Sequence, residues 1–563
     1  MKKTISIMMA SLLSISVLSA VACGGQNGGD VIAEDKSQLN VGIFNAGLGT
    51  VWLEEVKRDF EEYYKDTEFE TGKKGVQVII DKKKEEFRPG NLIQTMPDYD
   101  NAMYFLDQGS YFEFINKGML SDITETVQEK IFDENGDLAE ITKKAATQSI
   151  EDTMMPEYRN FYKTNGKYFG IPYYYSVGGI IYDADLFDEK GFYFDKKGKI
   201  GASQEDIDAG NCSTGPDGKL GTSDDGMPNT WNDFVKLMTE MRQSGVIPFT
   251  WSGFYNYQRN FAYTQIYANY EGANNFGLNY SFDGHDDGLN LDITVDNAKE
   301  LFNQEGRVAG IKAFYDIASN NKNYSSKALT QNHTEAEFEY VWSVKTNSPI
   351  AMFMEGGYWE SEARSVFDEM ALENAAFGYG KRNFKLLPVP NFTGVSGVKD
   401  QTNAERCIFG KSRAQGCYVV LSEKNKCENK ELQASLAKLF LKFVQQREQL
   451  VKFTKNVGAC FRCYNFTIKP EEKAQFTKYG QSIMTYIEEG AKVVTNVPVS
   501  DFRKNNSGLF DEGNNAWSFI ARKGVDTRMY DPFNYFYAYK GATVEECVND
   551  MKDTSNSYFA IKG

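Results

Sequence analysis

The sequence has very little histidine and lacks the short motifs that mark several common enzyme classes. Only two of its 563 residues are histidine, His285 and His333, so a His-based catalytic triad has few residues to draw on. The chain contains no G-x-S-x-G, no H-E-x-x-H and no phosphate-binding P-loop. A carboxylate pair for glycoside cleavage stays open, because 78 acidic residues allow many pairs and none stands out.

Positive charge is scarce relative to negative charge. The chain has 62 Lys and Arg against 78 Asp and Glu, a formal net charge of −16. An acidic surface repels phosphate backbones and anionic membranes, so we expect no nucleic-acid partner and no basic membrane-binding patch. Aromatic residues, in contrast, are abundant, with 33 Tyr and 40 Phe. This surplus favours a recognition surface lined by aromatic side chains.

The number of cysteines does not suit a complete set of disulfide pairs. Besides Cys23 there are seven cysteines, an odd count. Cys460 and Cys463 have the C-x-x-C spacing of redox and zinc sites, but no second C-x-x-C accompanies them. A local disulfide or buried free thiols are therefore the favoured interpretations.

A long apolar run occurs at the start of the chain and is not repeated later. A positive start, an apolar stretch and small residues before Cys23 predict a signal peptide over residues 1–22. A cysteine at the first mature position resembles a bacterial lipoprotein signal, so we expect a lipid on Cys23 and a flexible tether over 23–35. The alternative is an ordinary secretory peptide with an incidental cysteine.

The mature chain is too long for one compact domain, and its patterns alternate strands with helices. Residues 37–44 and 75–81 predict strands, and residues 50–67 between them predict a helix with one apolar face. This order predicts a mostly parallel sheet covered by helices. Thr230 with Asp233 predicts a capping box, and apolar spacing from Leu432 to Phe453 predicts one long helix that ends at Gly458.

Several aromatic side chains stand beside polar residues at predicted strand ends and turns. Sugars present apolar C–H faces ringed by hydroxyls, so a sugar site needs aromatic platforms with carboxylates or amides around them. For each residue the alternative is an ordinary core or surface aromatic, although Gly-flanked aromatics in turns are poorly placed for burial. The candidates are Tyr104, Asp107, Tyr174, Tyr175, Trp251, Tyr257, Glu355, Tyr358 and Trp359.

Three stretches carry a resemblance to a known family. They are GKYFGIPYYYSVGGIIYDADLF (166–187), IAMFMEGGYWESEA (350–363) and LAKLFLKFVQQREQLVKFTKNVGA (436–459). In this order they resemble segments of the extracellular solute-binding proteins of carbohydrate ABC importers, the family of the maltose-binding protein. The resemblance implies an α/β, periplasmic-binding-protein-like fold of two lobes with a hinge and an interlobe cleft. It implies a first lobe of 36–176 with 418–500 and a second lobe of 177–417 with 501–563.

The resemblance also implies a function. The protein would capture a sugar in the cleft, and we expect that sugar to be an oligosaccharide. It would act as a monomer and deliver the ligand to ABC permease subunits. It would carry out no catalysis and require no cofactor. The lipid on Cys23 would keep it on the membrane beside the permease. Tyr358 and Trp359 fall on the family's sugar-stacking turn, and Tyr174 and Tyr175 lie at the hinge. A surface glycan-binding adhesin or a glycan-degrading enzyme is the alternative.

A polar insertion at residues 208–230 interrupts the second lobe. Asp217, Asp224 and Asp225 stand among glycines there, and hard cations favour several oxygens on a sharply turning chain. The spacing does not fit an EF-hand. We therefore state structural calcium as a hypothesis, with a solvated acidic loop as the alternative.

Overall fold

The structure is a computed structural model that describes residues 32–106, 111–255, 257–412, 416–419, 424–499, 520–522, 524–525, 528 and 530–560. Within these ranges every helix is too short or too polar to span a bilayer. The chain forms two lobes, each built on its own sheet, with a third sheet between them.

The sheet of the first lobe has five strands. Their order across the sheet is Val76–Lys83, Ser37–Phe44, Met103–Leu106, Gly416–Val419 and Ile171–Pro172. The first three strands run parallel, with Val41 opposite Met103, and the last two pair antiparallel. The helix Val51–Tyr63 buries its apolar face, as its spacing predicts.

The sheet of the second lobe has four strands. Their order is Ile247–Thr250, Ile350–Glu355, Gly179–Asp183 and Phe384–Leu386. The first two run parallel, and the other pairs are antiparallel. All six residues of Ile350–Glu355 are buried, because helices cover both faces of this central strand.

The third sheet joins the lobes and is called the hinge sheet here. Its order is Cys460–Phe461, Tyr175–Val177, Cys407–Lys411 and Lys492–Thr495. The chain passes from the first lobe to the second through Tyr175–Val177 and returns through Cys407–Lys411. These two crossings pair antiparallel, with Val177 opposite Gly410. Two adjacent crossings are the arrangement that permits a hinge motion between lobes.

Two helices differ from the patterns in the sequence. The helix predicted from residue 432 to Gly458 is two helices, Lys430–Val444 and Arg447–Val457, so that prediction is wrong. The break lies at Gln445, which is buried and accepts a hydrogen bond from the Arg462 guanidinium at 3.1 Å. The helix Lys478–Glu488 belongs to the segment that the resemblance places in the first lobe, yet it packs against Phe384–Leu386 of the second.

The capping box at Thr230 is confirmed, because Thr230 Oγ1 accepts from the Asp233 N–H and the Asp233 carboxylate accepts in return. The seven cysteines besides Cys23 are all buried free thiols. The remaining strands form two-stranded ribbons. These are Glu68–Glu70 with Lys73–Lys74, Lys163–Thr164 with Lys167–Tyr168, Tyr193–Phe194 with Ile200–Ala202, and Gly284–Asp286 with Leu291–Ile293.

The other helices surround these sheets, and the last two pack on Glu305–Ala318 in the second lobe. In chain order they are Pro89–Thr95, Tyr111–Asn116, Thr124–Gln128, Ala139–Thr142, Ile150–Thr153, Pro156–Tyr162, Ala184–Lys190, Gln204–Asp208, Trp231–Gln243, Tyr257–Ser281 (two helices that meet at a kink at Gly272), Glu305–Ala318, His333–Ser343, Trp359–Glu362, Arg364–Glu373, Pro470–Lys473, Pro532–Ala538 and Val544–Ala560.

Candidate functional site

The turn at residues 356–358 is fixed directly against the hinge sheet. The Gly357 N–H donates to Ser176 Oγ at 2.8 Å, and the Ala459 N–H donates to the Gly357 carbonyl at 3.0 Å. A Cβ at position 357 would lie 2.3 Å from the Ala459 carbonyl oxygen and 2.6 Å from that of Val177. Only glycine fits this approach, so the backbone of the turn is locked where the lobes meet.

Tyr358 and Glu362 lie one helical turn apart and face the same way. The Glu362 N–H donates to the Tyr358 carbonyl at 3.1 Å, which is the helical pattern that aligns side chains at i and i+4. Tyr358 is partly exposed, and its hydroxyl donates to Gln258 Oε1 at 3.3 Å. An aromatic ring and a carboxylate therefore share one face of the turn.

This face meets the first lobe at Gly47, in the loop after strand Ser37–Phe44. A Cβ at Gly47 would lie 2.9 Å from the carboxyl carbon of Glu362. On its other side the Glu362 carboxylate lies 3.4 Å from His333 Nε2. Glu362 is thus a second-lobe carboxylate in contact with the first lobe. We call Tyr358, Glu362, Gln258 and His333, with Gly47 opposite, the cleft patch.

Two further carboxyl groups are buried behind the cleft patch. Neither oxygen of Glu337 meets an N–H or hydroxyl donor within the described residues, and the group faces the carboxyl of Glu362. Burial, and then the charges of Glu362 and Glu355, hold the pKa of Glu337 well above its usual range. Burial likewise raises the pKa of Glu355, although the Gly356 N–H and Lys411 oppose the shift.

The acceptor capacity of this region is only partly used. Glu355 Oε1 accepts from the Gly356 N–H at 2.8 Å, while Glu355 Oε2 and Glu362 Oε2 have no hydrogen-bond partner in the described part of the chain. Buried acceptors usually have partners, and leaving one unpaired costs about 1–3 kcal/mol. Both of these Oε2 atoms are buried, so this cost lies in the interior behind the cleft patch.

The structure places three of the predicted sugar-stacking aromatics wholly inside the cores. Trp359 follows Tyr358 directly, but it has no exposed surface and packs against Phe353 and Phe384. Trp251 is equally buried and packs edge-on against Phe533. Tyr104 lies over Gly42 in the first-lobe sheet and is fully buried. As placed, these three side chains lie in the cores and do not face the cleft.

The hinge tyrosines are also almost covered. Tyr174 packs against Tyr173 at 4.9 Å between ring centroids, and Tyr175 stacks on Phe461 at 5.7 Å. Asp107 and Cys23 lie outside the described residues, as does the side chain of Tyr257. Tyr358 and Glu355 are thus the predicted residues that the structure brings to the cleft patch or directly behind it.

Sequence reasoning missed Glu362, Glu337, Gln258 and the part played by His333. Glu362 had a usable signal, because it stands four residues after Tyr358 at the start of a predicted helix. Glu337 and Gln258 had none. They come from separate helices, and nothing local in the sequence distinguishes them from surface residues.

The aspartates of the insertion lie near one another and accept hydrogen bonds from their own loop. Asp217 Oδ1 accepts from the Lys219 N–H at 2.7 Å, and Asp225 Oδ2 accepts from the Gly221 N–H at 2.7 Å. Asp224 is buried and accepts from the Asp217 N–H at 3.0 Å and from Thr222 Oγ1 at 2.8 Å. Among the described residues, no group of three His, Cys, Asp or Glu side chains is placed to hold a metal ion. Structural calcium at this loop stays a hypothesis.

Comparisons with known proteins agree with this architecture. A family model described as bacterial extracellular solute-binding protein matches residues 57–360. No curated protein sequence matches the chain. Similar solved structures include apo RafE from Streptococcus pneumoniae, with 12% identity, TM-score 0.51, and coverage of 94% of this chain and 100% of that one.

Two further structures show the same fold. RafE in complex with raffinose is 13% identical, with TM-score 0.50 and coverage of 93% of this chain and 100% of that one. A probable secreted solute-binding lipoprotein from Streptomyces coelicolor is 11% identical, with TM-score 0.52 and coverage of 93% and 99%.

Proposed function

Because this chain belongs to the bacterial extracellular solute-binding proteins, we propose that it captures an oligosaccharide in its interlobe cleft and passes it to an ABC importer. The observation that carries the proposal is the cleft patch. An aromatic ring, Tyr358, and a carboxylate, Glu362, share one face beside the hinge, and that face meets the first lobe at Gly47.

The chemistry of the patch suits a sugar. The Tyr358 ring offers a flat apolar surface for the C–H face of a pyranose, while the Glu362 carboxylate, whose side chain is 20% exposed, offers acceptors for its hydroxyl groups. The similar structure of RafE contains raffinose, which supports a sugar as the ligand class.

Binding at this place would couple to the hinge. A ligand held by Tyr358 and by the loop at Gly47 touches both lobes, so it binds best when they approach each other. It therefore shifts the population toward the closed arrangement, which a permease can recognise. The proposal contains no chemical step, so the bound sugar leaves unchanged.

The N-terminus completes the proposal. We propose that Cys23 carries a lipid and that residues 23–35 tether the receptor to the membrane beside its permease. A lipid there keeps the receptor local without a transmembrane helix. Mass spectrometry of the membrane fraction, read for a diacylated Cys23, tests this part separately.

A thermal-shift screen of residues 24–563 against mono- and oligosaccharides tests the central proposal. A sugar at one hundred times its dissociation constant should stabilise the fold by roughly 2.7 kcal/mol. Tyr358→Ala should weaken binding by at least about tenfold, since a central aromatic platform is lost. Tyr537→Ala is the matched control, because Tyr537 is 45% exposed on the helix Pro532–Ala538.

The outcomes separate the alternatives. A sugar hit that is lost in Tyr358→Ala, with the sugar recovered intact, supports the receptor. A sugar recovered cleaved would point to a glycan-degrading enzyme. No shift with any sugar contradicts the proposal.

A further inference from the structure

Phe254 is a large aromatic side chain that the fold leaves mostly in solvent. Its exposed fraction is 70%, whereas Trp251, three residues earlier on the same segment, is fully buried. A single exposed apolar residue is common on protein surfaces and carries no inference alone. What distinguishes Phe254 is that its backbone is fixed and that its ring continues a row of side chains into the cleft patch.

The loop that presents Phe254 is tied to the neighbouring segment. The Phe254 N–H donates to the Gln331 carbonyl at 3.1 Å, and Ser252 Oγ donates to the same oxygen at 3.1 Å. A Cβ on Gly253 would lie 2.2 Å from the carbonyl carbon of Leu329, so the two backbones touch. The ring of Phe254 therefore projects from an anchored backbone, which lowers the entropy lost when a ligand packs on it.

A continuous row of contacts links Phe254 to the cleft patch. The rings of Phe254 and Tyr255 lie edge to face, with centroids 4.8 Å apart. The Tyr255 ring lies 5.3 Å from that of His333, and His333 Nε2 lies 3.4 Å from Glu362 Oε1. Glu362 in turn shares its face with Tyr358. The row thus links the solvent-exposed Phe254 ring to the cleft patch.

We propose that Phe254 and Tyr255 form an outer stacking platform that binds a further ring of an extended oligosaccharide held at Tyr358 and Glu362. This inference rests on the proposed function and deepens it by assigning residues that select for the length of the ligand. Aromatic platforms at the two ends, with His333 and Glu362 between them, suit a chain of several rings whose hydroxyls meet polar groups between successive stacking contacts. A monosaccharide would use the inner platform alone.

The test uses immobilised gluco-, galacto-, manno-, xylo- and chito-oligosaccharides of one to six residues, probed with the mature protein. The best-bound glycan and its shorter homologues are then titrated calorimetrically. Phe254→Ala should weaken the affinity for the longest ligand by about tenfold. It should change the affinity for the shortest ligand by less than about twofold. Phe254→Trp should keep the wild-type length preference, because the platform is retained.

Two controls keep the result interpretable. Leu372→Ala removes another exposed apolar side chain, 88% exposed on helix Arg364–Glu373, and should leave every affinity unchanged. Thermal unfolding of Phe254→Ala should match wild type, since the ring contributes little buried area. A stability loss shared with weaker binding of every chain length would indicate a structural role and overturn the platform.

The failures are distinguishable. Equal loss for short and long glycans, or no loss at all, overturns the outer platform while Tyr358→Ala still reports on the inner one. A wild type that binds only monosaccharides overturns the platform as well. A wild type that binds no glycan overturns the proposed function and this inference together.

Discussion

Two regions of the second lobe are held in place in opposite ways. The turn at residues 356–358 is fixed by close backbone contacts with the hinge sheet. In the insertion, Asp217 and Asp224 accept hydrogen bonds from the loop's own groups. The comparison teaches that a close backbone approach fixes a turn from outside, whereas a polar loop is held by carboxylates that accept hydrogen bonds from its own groups.

The largest expected effect is that of a substitution at Gly357, which would break the backbone contacts that fix the turn. Gly357→Ala puts a methyl group 2.3 Å from the Ala459 carbonyl oxygen. Neither backbone can shift away to relieve this contact. We expect a loss of more than about 3 kcal/mol in the free energy of unfolding, measured by urea titration.

The matched change in the insertion is Gly221→Ala. Gly221 has a φ of +84° with nothing within 4 Å of its Cβ position, so only backbone strain of about 1–2 kcal/mol is expected. Similar losses in the two variants would show that the turn is not locked by its contacts with the hinge.

The next largest effect is that of Asp224, a buried acid of the insertion, on how the free energy of unfolding depends on pH. Burial raises the pKa of Asp224 from 3.8 to about 6. The folded state therefore binds more protons than the unfolded state between these values, and the contribution of Asp224 to stability is lost as pH rises through that window. Asp224→Asn should reduce the fall in unfolding free energy between pH 4 and pH 7.5 by up to about 3 kcal/mol.

The control for that prediction is Asp208→Asn, which changes an exposed aspartate of the same insertion. Its unfolding free energy should follow wild type at both pH values. An Asp224→Asn variant with the wild-type pH dependence would show that Asp224 does not titrate in this window.

The smallest expected effect is that of a chelator. Because the aspartates of the insertion accept hydrogen bonds from their own loop, removing divalent cations should leave the unfolding midpoint within about 1 °C of its starting value. A clear drop in the unfolding midpoint in chelator that calcium alone restores would support the calcium hypothesis.

Local patterns in the sequence predicted much of the framework. The strand Ser37–Phe44 and the capping box at Thr230 are confirmed, because each depends on residues close in the chain. The single long helix was wrong for a reason that no local pattern contains. Gln445 is buried beside Arg462, a partner from beyond the end of the next helix, and the break in the helix is placed there.

The site was predictable only in part. Tyr358 lies in the cleft patch, whereas Trp359, its neighbour in the sequence, lies in the core. Both are aromatic residues after a double glycine, so composition and spacing treat them alike. Which of them faces the cleft depends on how the turn is set against Ser176 and Ala459, and these residues are remote in the chain.

The sequence by itself determined the family, the alternation of strands and helices, and the glycine-flanked turn that carries Tyr358. These follow from periodicity and short-range chemistry, which neighbouring residues encode. The tertiary structure alone decided that Glu362 meets Gly47, that Glu337 is buried against it, and that a row of contacts links Phe254 to the cleft patch. Such contacts join residues that are distant in the chain, and burial and acceptor satisfaction exist only once the lobes have packed.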